Sequence, residues 1–208
     1  MTIKAINFKK INSLRNESDR EVKGMIITLA LFAAAMIIGS GTLKNTSDYI
    51  GDYSDIFNSY IIMRSDEKIY TVFFNSVSVN LFFILLINFA GLSCVGIPLT
   101  VFIILIKGLG FGFFSGFLFS EFSMSGIGYY LITVLPGAVI SNTAILLACN
   151  NSAFMSADIL AVTLSKKQPD ENIVKNYLKK STLITAICII ASIIDSVLAK
   201  AFEFMFVF

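Results

Sequence analysis

Side chains able to do chemistry are few in this chain, and most stand where chemistry is hard to start. There is no His, which removes the commonest general base near neutral pH and the commonest metal ligand. The carboxylate pairs Asp66-Glu67 and Asp170-Glu171 fall in charged stretches, where solvation accounts for them. Cys94, Cys149 and Cys188 lie in or beside apolar runs and read as small hydrophobes rather than as a disulfide or a metal set. No Gly-x-x-x-x-Gly-Lys-Ser/Thr phosphate loop occurs. No basic run alternates with aromatics as a nucleic-acid surface would. These residues point to a chain that is not an enzyme, with no catalytic, cofactor-binding or metal-binding set.

Two ionisable residues stand out by position. Lys107 and Asp195 each sit inside a long apolar run, where an unpaired ammonium costs at least ~2.5 kcal/mol. Counted inward from the cytoplasmic ends, they lie at depths of roughly 15 and 21 Å, at ~1.5 Å per helical residue. A Lys side chain covers that difference, so the two are expected to pair across a helix interface. Separate contacts with water at the two bilayer faces, or a shared substrate or proton pathway, are the alternatives.

The elements that position them follow from composition. Of 208 residues, 56% are apolar and 14% charged, against about a quarter charged in a soluble domain. The charges gather in 4–23, 44–68 and 158–180. Apolar runs lie between them at 25–41, 72–92, 96–119, 127–149 and 181–206. Runs near 20 residues match a hydrocarbon core at ~1.5 Å per residue. The expected fold is all-α, a polytopic integral membrane protein with about five transmembrane helices. The 25–41 run is taken as a retained helix rather than a cleaved signal core. The 150–164 segment, broken by Asn150, Asn151 and Asp158, is expected to be an interfacial helix or a continuation of the fourth span.

Basic residues set the orientation. Lys4, Lys9, Lys10, Arg15, Arg20 and Lys23 precede the first run, and Lys166, Lys167, Lys175, Lys179 and Lys180 precede the fifth. Only Lys44, Arg64, Lys68 and Lys200 fall on the other side. The N-terminus is therefore expected in the cytoplasm and the C-terminus outside a bacterial cell membrane. Residues 1–24 form the cytoplasmic segment and 25–208 the membrane domain, with an outer loop at 42–70 and a cytoplasmic loop at 150–180.

Small residues mark packing faces. Gly108, Gly112 and Gly116 recur every four residues, a stripe that lets helix backbones approach closely in lipid. Gly110 lies off it. Gly137, Ser141, Ala144 and Ala148 form a comparable strip on the fourth run. In the outer loop, Tyr49, Tyr53, Ile56, Phe57 and Tyr60 share one face at helical spacing. That face suits either the outer leaflet or a partner protein. Asp48, Asp52 and Asp55 match no EF-hand spacing. The aromatic end 202–208 resembles an interface anchor.

The motifs between Gly91 and Pro136 resemble the stage II sporulation protein M family of bacterial membrane proteins. They are Gly91-Leu92-Ser93, Val95-Gly96-Ile97-Pro98, Ile106-Lys107-Gly108 with Gly112-Phe113, Gly116-Phe117-Leu118, Ser125-Gly126 and Val134-Leu135-Pro136. One departure is Gly137-Ala138 where members carry Gln-Asn after the Leu-Pro step. The resemblance implies a scaffold for forespore engulfment that localises and anchors extracytoplasmic peptidoglycan-remodelling enzymes. Membrane lipid and those hydrolases are the partners it implies, with no nucleic acid. The alternative is the permease subunit of an ABC-type exporter, with 150–164 as the coupling helix for an ATPase subunit.

Overall fold

A computed structural model describes residues 2–42, 57, 59–60, 64, 67–165 and 171–202, with side chains described from residue 19 onward, apart from 165 and 171–172. The described residues are all-helical. Helix α1 is Thr2–Thr42, α2 is Ile69–Gly91, α3 is Gly96–Tyr129, α4 is Leu135–Ser165 and α5 is Glu171–Ala201. A π-helical turn, Tyr130–Val134, joins α3 to α4.

By length and composition, four helical stretches could cross a membrane: Asp19–Thr42, Ile69–Gly91, Gly96–Leu164 and Ile173–Ala201. The third has 69 residues, which as one straight helix would span ~100 Å, far beyond a ~30 Å hydrocarbon core. It does not run straight. Ser123 takes φ 47 and ψ −122, a left-handed backbone costly for a residue with a Cβ. There the chain doubles back, so the Phe111 and Tyr130 rings stand 5.8 Å apart and those of Phe119 and Tyr130 5.4 Å. The fold-back is the passage that the sequence pattern marks between its third and fourth runs.

Pro136 accounts for the π-helical turn. It offers no amide hydrogen to the carbonyl one turn back, and the preceding turn opens so that the Leu135 amide donates to the Tyr130 carbonyl. Such a widened turn before a proline is a common local adjustment. Pro98, in the first turn of α3, lacks only an amide that would have no helical partner anyway.

In lipid, helices gain little from burying apolar surface against each other, so close packing and polar contacts hold them. The glycine stripe supplies the first. A Cβ on Gly108 would come 2.8 Å from the Ala35 Cβ and 2.9 Å from the Phe32 carbonyl oxygen. Gly112 lies against the Met36 carbonyl, and Gly39 of α1 lies reciprocally against that of Leu109. Gly116 is buried in the same helix. The partner of the stripe is thus α1 of the same chain.

The 150–164 segment is the unbroken continuation of α4, and it grips the α2–α3 hairpin. The Ser152 hydroxyl donates to the Ile87 carbonyl at 2.7 Å, and the Ser156 hydroxyl to that of Ser93 at 2.8 Å. The Gly96 amide donates back to the Ser156 oxygen at 3.1 Å. From α5, the Ser181 hydroxyl donates to Asn88 Oδ1 at 2.7 Å. Helical structure therefore reaches Ser165 and resumes at Glu171 within what the sequence marks as a loop at 150–180. Likewise, α1 extends back to Thr2, well before the apolar run begins.

Replacing Gly112 with Leu should force α1 and α3 apart and cost ~1–3 kcal/mol, the usual penalty for overpacking. Gly110→Ala, where an added Cβ meets nothing within 4 Å, should leave stability unchanged. Thermal unfolding of both variants in mild detergent checks the contrast; equal melting temperatures would refute the assigned α1–α3 contact.

Candidate functional site

Asp195 lies in the last third of α5, on the side facing α4. Gly137 permits that approach, since a Cβ there would come 2.7 Å from the Asp195 Cβ. The carboxylate is held by Arg64, with Nη2 to Oδ1 at 2.9 Å and Nη1 to Oδ2 at 3.0 Å. Both side chains are withdrawn from solvent, at 3% and 11% exposure. Arg64 Nη1 also donates to the Tyr60 hydroxyl at 3.1 Å. Burial works against the guanidinium charge, but Tyr60 and Asp195 outweigh it, so the proton is held more tightly than in water. Arg64 Nε is buried with no hydrogen-bond partner among the described residues.

This corrects the expected partner of Asp195. Lys107 does not pair with it: no ion pair to Lys107 occurs among the described residues. Its ammonium instead stands 4.6 Å from the centroid of the Phe83 ring, a cation–π contact. The planar guanidinium explains the preference. Its fork presents two parallel N–H bonds to both carboxylate oxygens, which a single ammonium cannot do. The sequence signal was present. The arginines are Arg15, Arg20 and Arg64, and Arg64 alone lies outside the N-terminal segment.

Lys107 and the Arg64–Asp195 pair nevertheless share one feature, a half-open cavity of about 460 Å³ lined by α2, α3, α4 and α5 together with Phe57, Tyr60 and Arg64. Lys107, Gly110, Phe111 and Phe114 contribute the α3 wall. Their spacing is that of one helical face, turned away from the Gly108–Gly112 face that meets α1. Asn80 on the α2 side is satisfied, donating to the Ser192 hydroxyl at 3.1 Å.

The aromatic face expected to dock a partner is put to another use where it is described. The Phe57 ring packs 4.8 Å from Phe117 and 5.6 Å from Phe113, while Tyr60 meets Phe114 edge-on at 5.4 Å. Both residues therefore close over α3 of their own chain, because those rings find apolar contact there rather than in water. Tyr49, Tyr53 and Ile56 lie outside the described residues, as does most of the aromatic end 202–208. Cys149 and Cys188 are buried and free, as small hydrophobes would be; Cys94 is free and exposed in the hairpin.

The model of one family, Stage II sporulation protein M, matches residues 28–200. The chain belongs to the stage II sporulation protein M family. No curated protein and no solved structure matches it. The match reaches well beyond the 91–136 motifs, taking in Arg64, Lys107 and Asp195 together with the transmembrane part of every helix. It makes the chain a multi-pass membrane protein of a sporulation-related family.

Removing one member of a buried ion pair strands the other's charge and typically costs ~3–5 kcal/mol. Asp195→Asn and Arg64→Met should each lower stability in detergent by an amount of that order. The double variant Arg64→Met/Asp195→Leu should recover most of it. Lys107→Met combined with Asp195→Leu should show no such recovery, and strong coupling in that second cycle would overturn the assigned pairing.

Proposed function

We propose that the chain is a non-enzymatic membrane scaffold that anchors extracytoplasmic peptidoglycan-remodelling enzymes during forespore engulfment. Family membership over residues 28–200 supports the sporulation setting. The observation that carries the scaffold role is the Arg64–Asp195 clamp. It ties the segment between α1 and α2 to the far part of α5 through a buried, bidentate contact. Phe57 and Tyr60 add an aromatic seal over α3. Phe57, Tyr60 and Arg64 are thereby held at ring and charge contacts, which suits a platform that must hold partners still. The partners would carry the catalysis.

In this reading the N-terminus is cytoplasmic, so the segment carrying Arg64 faces outside and the hairpin at Cys94 faces the cytoplasm. The exporter alternative loses the feature that pointed to it, since 150–164 continues α4 and is bonded to α2 and the hairpin.

Affinity capture of the intact protein in mild detergent should recover wall hydrolases; recovery of an ATPase with no hydrolase would sink the scaffold role. The topology has its own check. A membrane-impermeant thiol reagent should label Cys94 only after cells are permeabilised, with Cys149 and Cys188 protected by burial. Labelling of Cys94 in intact cells would reverse the orientation.

A further inference from the structure

The cavity beside the clamp carries charge and polarity that the protein leaves unanswered. Arg64 and Asp195 neutralise each other, so Lys107 is the remaining charged group on its wall. The Lys107 ammonium touches the Phe83 face and has no ion pair among the described residues. Asn142 also lines the cavity and is only 7% exposed, placing an amide on the same wall. An ammonium without an ion partner is costly in an apolar layer, and with an amide on the same wall it marks a place where a ligand of opposite charge would be accepted. The rest of the wall is apolar and aromatic, with Phe83, Phe111 and Phe114. About 460 Å³ lies within the range of small-ligand pockets.

The access route narrows the ligand class. Val79 of α2 and Ile106 of α3 border the cavity and are each 45% exposed on the outer surface of the bundle. Gly110 lies beside them, and a Cβ there would point into open space. The cavity is therefore open laterally, between two membrane helices, on a side that faces lipid when the bundle sits in a bilayer. Lys107 stands about 16 Å along α3 from Gly96 at ~1.5 Å per residue, near the middle of a ~30 Å hydrocarbon layer. A permanently charged headgroup reaches that depth only at high cost. A carboxylic acid can reach that depth uncharged and, on meeting the ammonium, release its proton to the aqueous phase to leave a paired carboxylate.

We propose that this cavity binds a single-chain lipid carboxylate, entering from the bilayer between α2 and α3. Its carboxylate accepts hydrogen bonds from Lys107 and the Asn142 amide, and the first part of its chain lies against Phe83, Phe111 and Phe114. The site does not depend on the scaffold role and stands or falls separately from it.

The test uses the full chain in mild detergent, with native mass spectrometry against palmitate, hexadecanol and acetate. The wild type should bind palmitate at least about tenfold more tightly than hexadecanol, and acetate should not displace it. Lys107→Met should abolish that preference, while Lys107→Arg should keep it. Gly110→Leu, whose Cβ meets nothing within 4 Å, should narrow the mouth and weaken palmitate binding while leaving the melting temperature unchanged. Equal binding of palmitate and hexadecanol to the wild type would overturn the proposal, as would undiminished palmitate binding to Lys107→Met or to a folded Gly110→Leu. Displacement by acetate at matching concentration would make it a site for free anions and would overturn the lipid assignment.

Discussion

The arrangement of the membrane domain turns on the neutralisation of one buried carboxylate. Asp195 is carried into the bundle by α5, where an ionised acid is tolerated only with a partner of opposite charge and good hydrogen-bond geometry. Arg64 supplies both, with two bonds near 3 Å. That requirement fixes more than a pair of side chains. It draws the segment between α1 and α2 down onto α5 and places Tyr60 against Phe114. On α4 it asks for a residue at 137 with no side chain in the way, and Gly137 meets the demand. Buried ion pairs are weak sources of net stability; their strength is that alternative arrangements, which strand a charge, are excluded.

The opposite end of the bundle is held by different means. There the contacts are neutral hydroxyl and amide bonds, from Ser152, Ser156 and Ser181 to backbone and Asn88. Each such bond contributes modestly in a membrane, but they converge on one hairpin. The exposed pair Lys180–Glu21, at 2.7 Å, is of the solvent-screened kind that adds little. One end is thus fixed by a single charged clamp and the other by several neutral bonds.

Hydropathy and small-residue spacing made most of the helical frame legible from sequence. The apolar runs became helices, the short gap between the 72–92 and 96–119 runs became the turn between α2 and α3, and the stripe at Gly108, Gly112 and Gly116 became a tight face. Helix ends were less legible, since helix formation continues through the charged stretch 2–24 and through 150–165, where Asn150, Asn151 and Asp158 interrupt the apolar pattern without ending the helix. The partner of Asp195 was not legible by depth counting. That count treats a charged residue between runs as belonging to water, whereas Arg64 is folded inward. The packing of Phe57 and Tyr60 against α3 was not legible for a related reason. An amphipathic spacing says that a face is apolar, not whether lipid, another protein or the same chain covers it.

Helix α3 shows how one stretch of sequence serves two purposes through its period. Residues 108 and 112 project toward α1 and must be glycine, because backbone atoms of α1 occupy the space a side chain would need. Residues 107, 110, 111 and 114 project toward the cavity, roughly a third of a turn or more around the same cylinder. The close α1 contact leaves α3 little freedom to rotate, so Lys107 is held toward the cavity rather than free to swing into the α1 interface. With Asp195 already claimed by Arg64, the geometry that secures the frame also leaves the ammonium without a carboxylate. An unpaired cation in mid-membrane is therefore a consequence of how the bundle is locked, and it is retained beside open space rather than packed away.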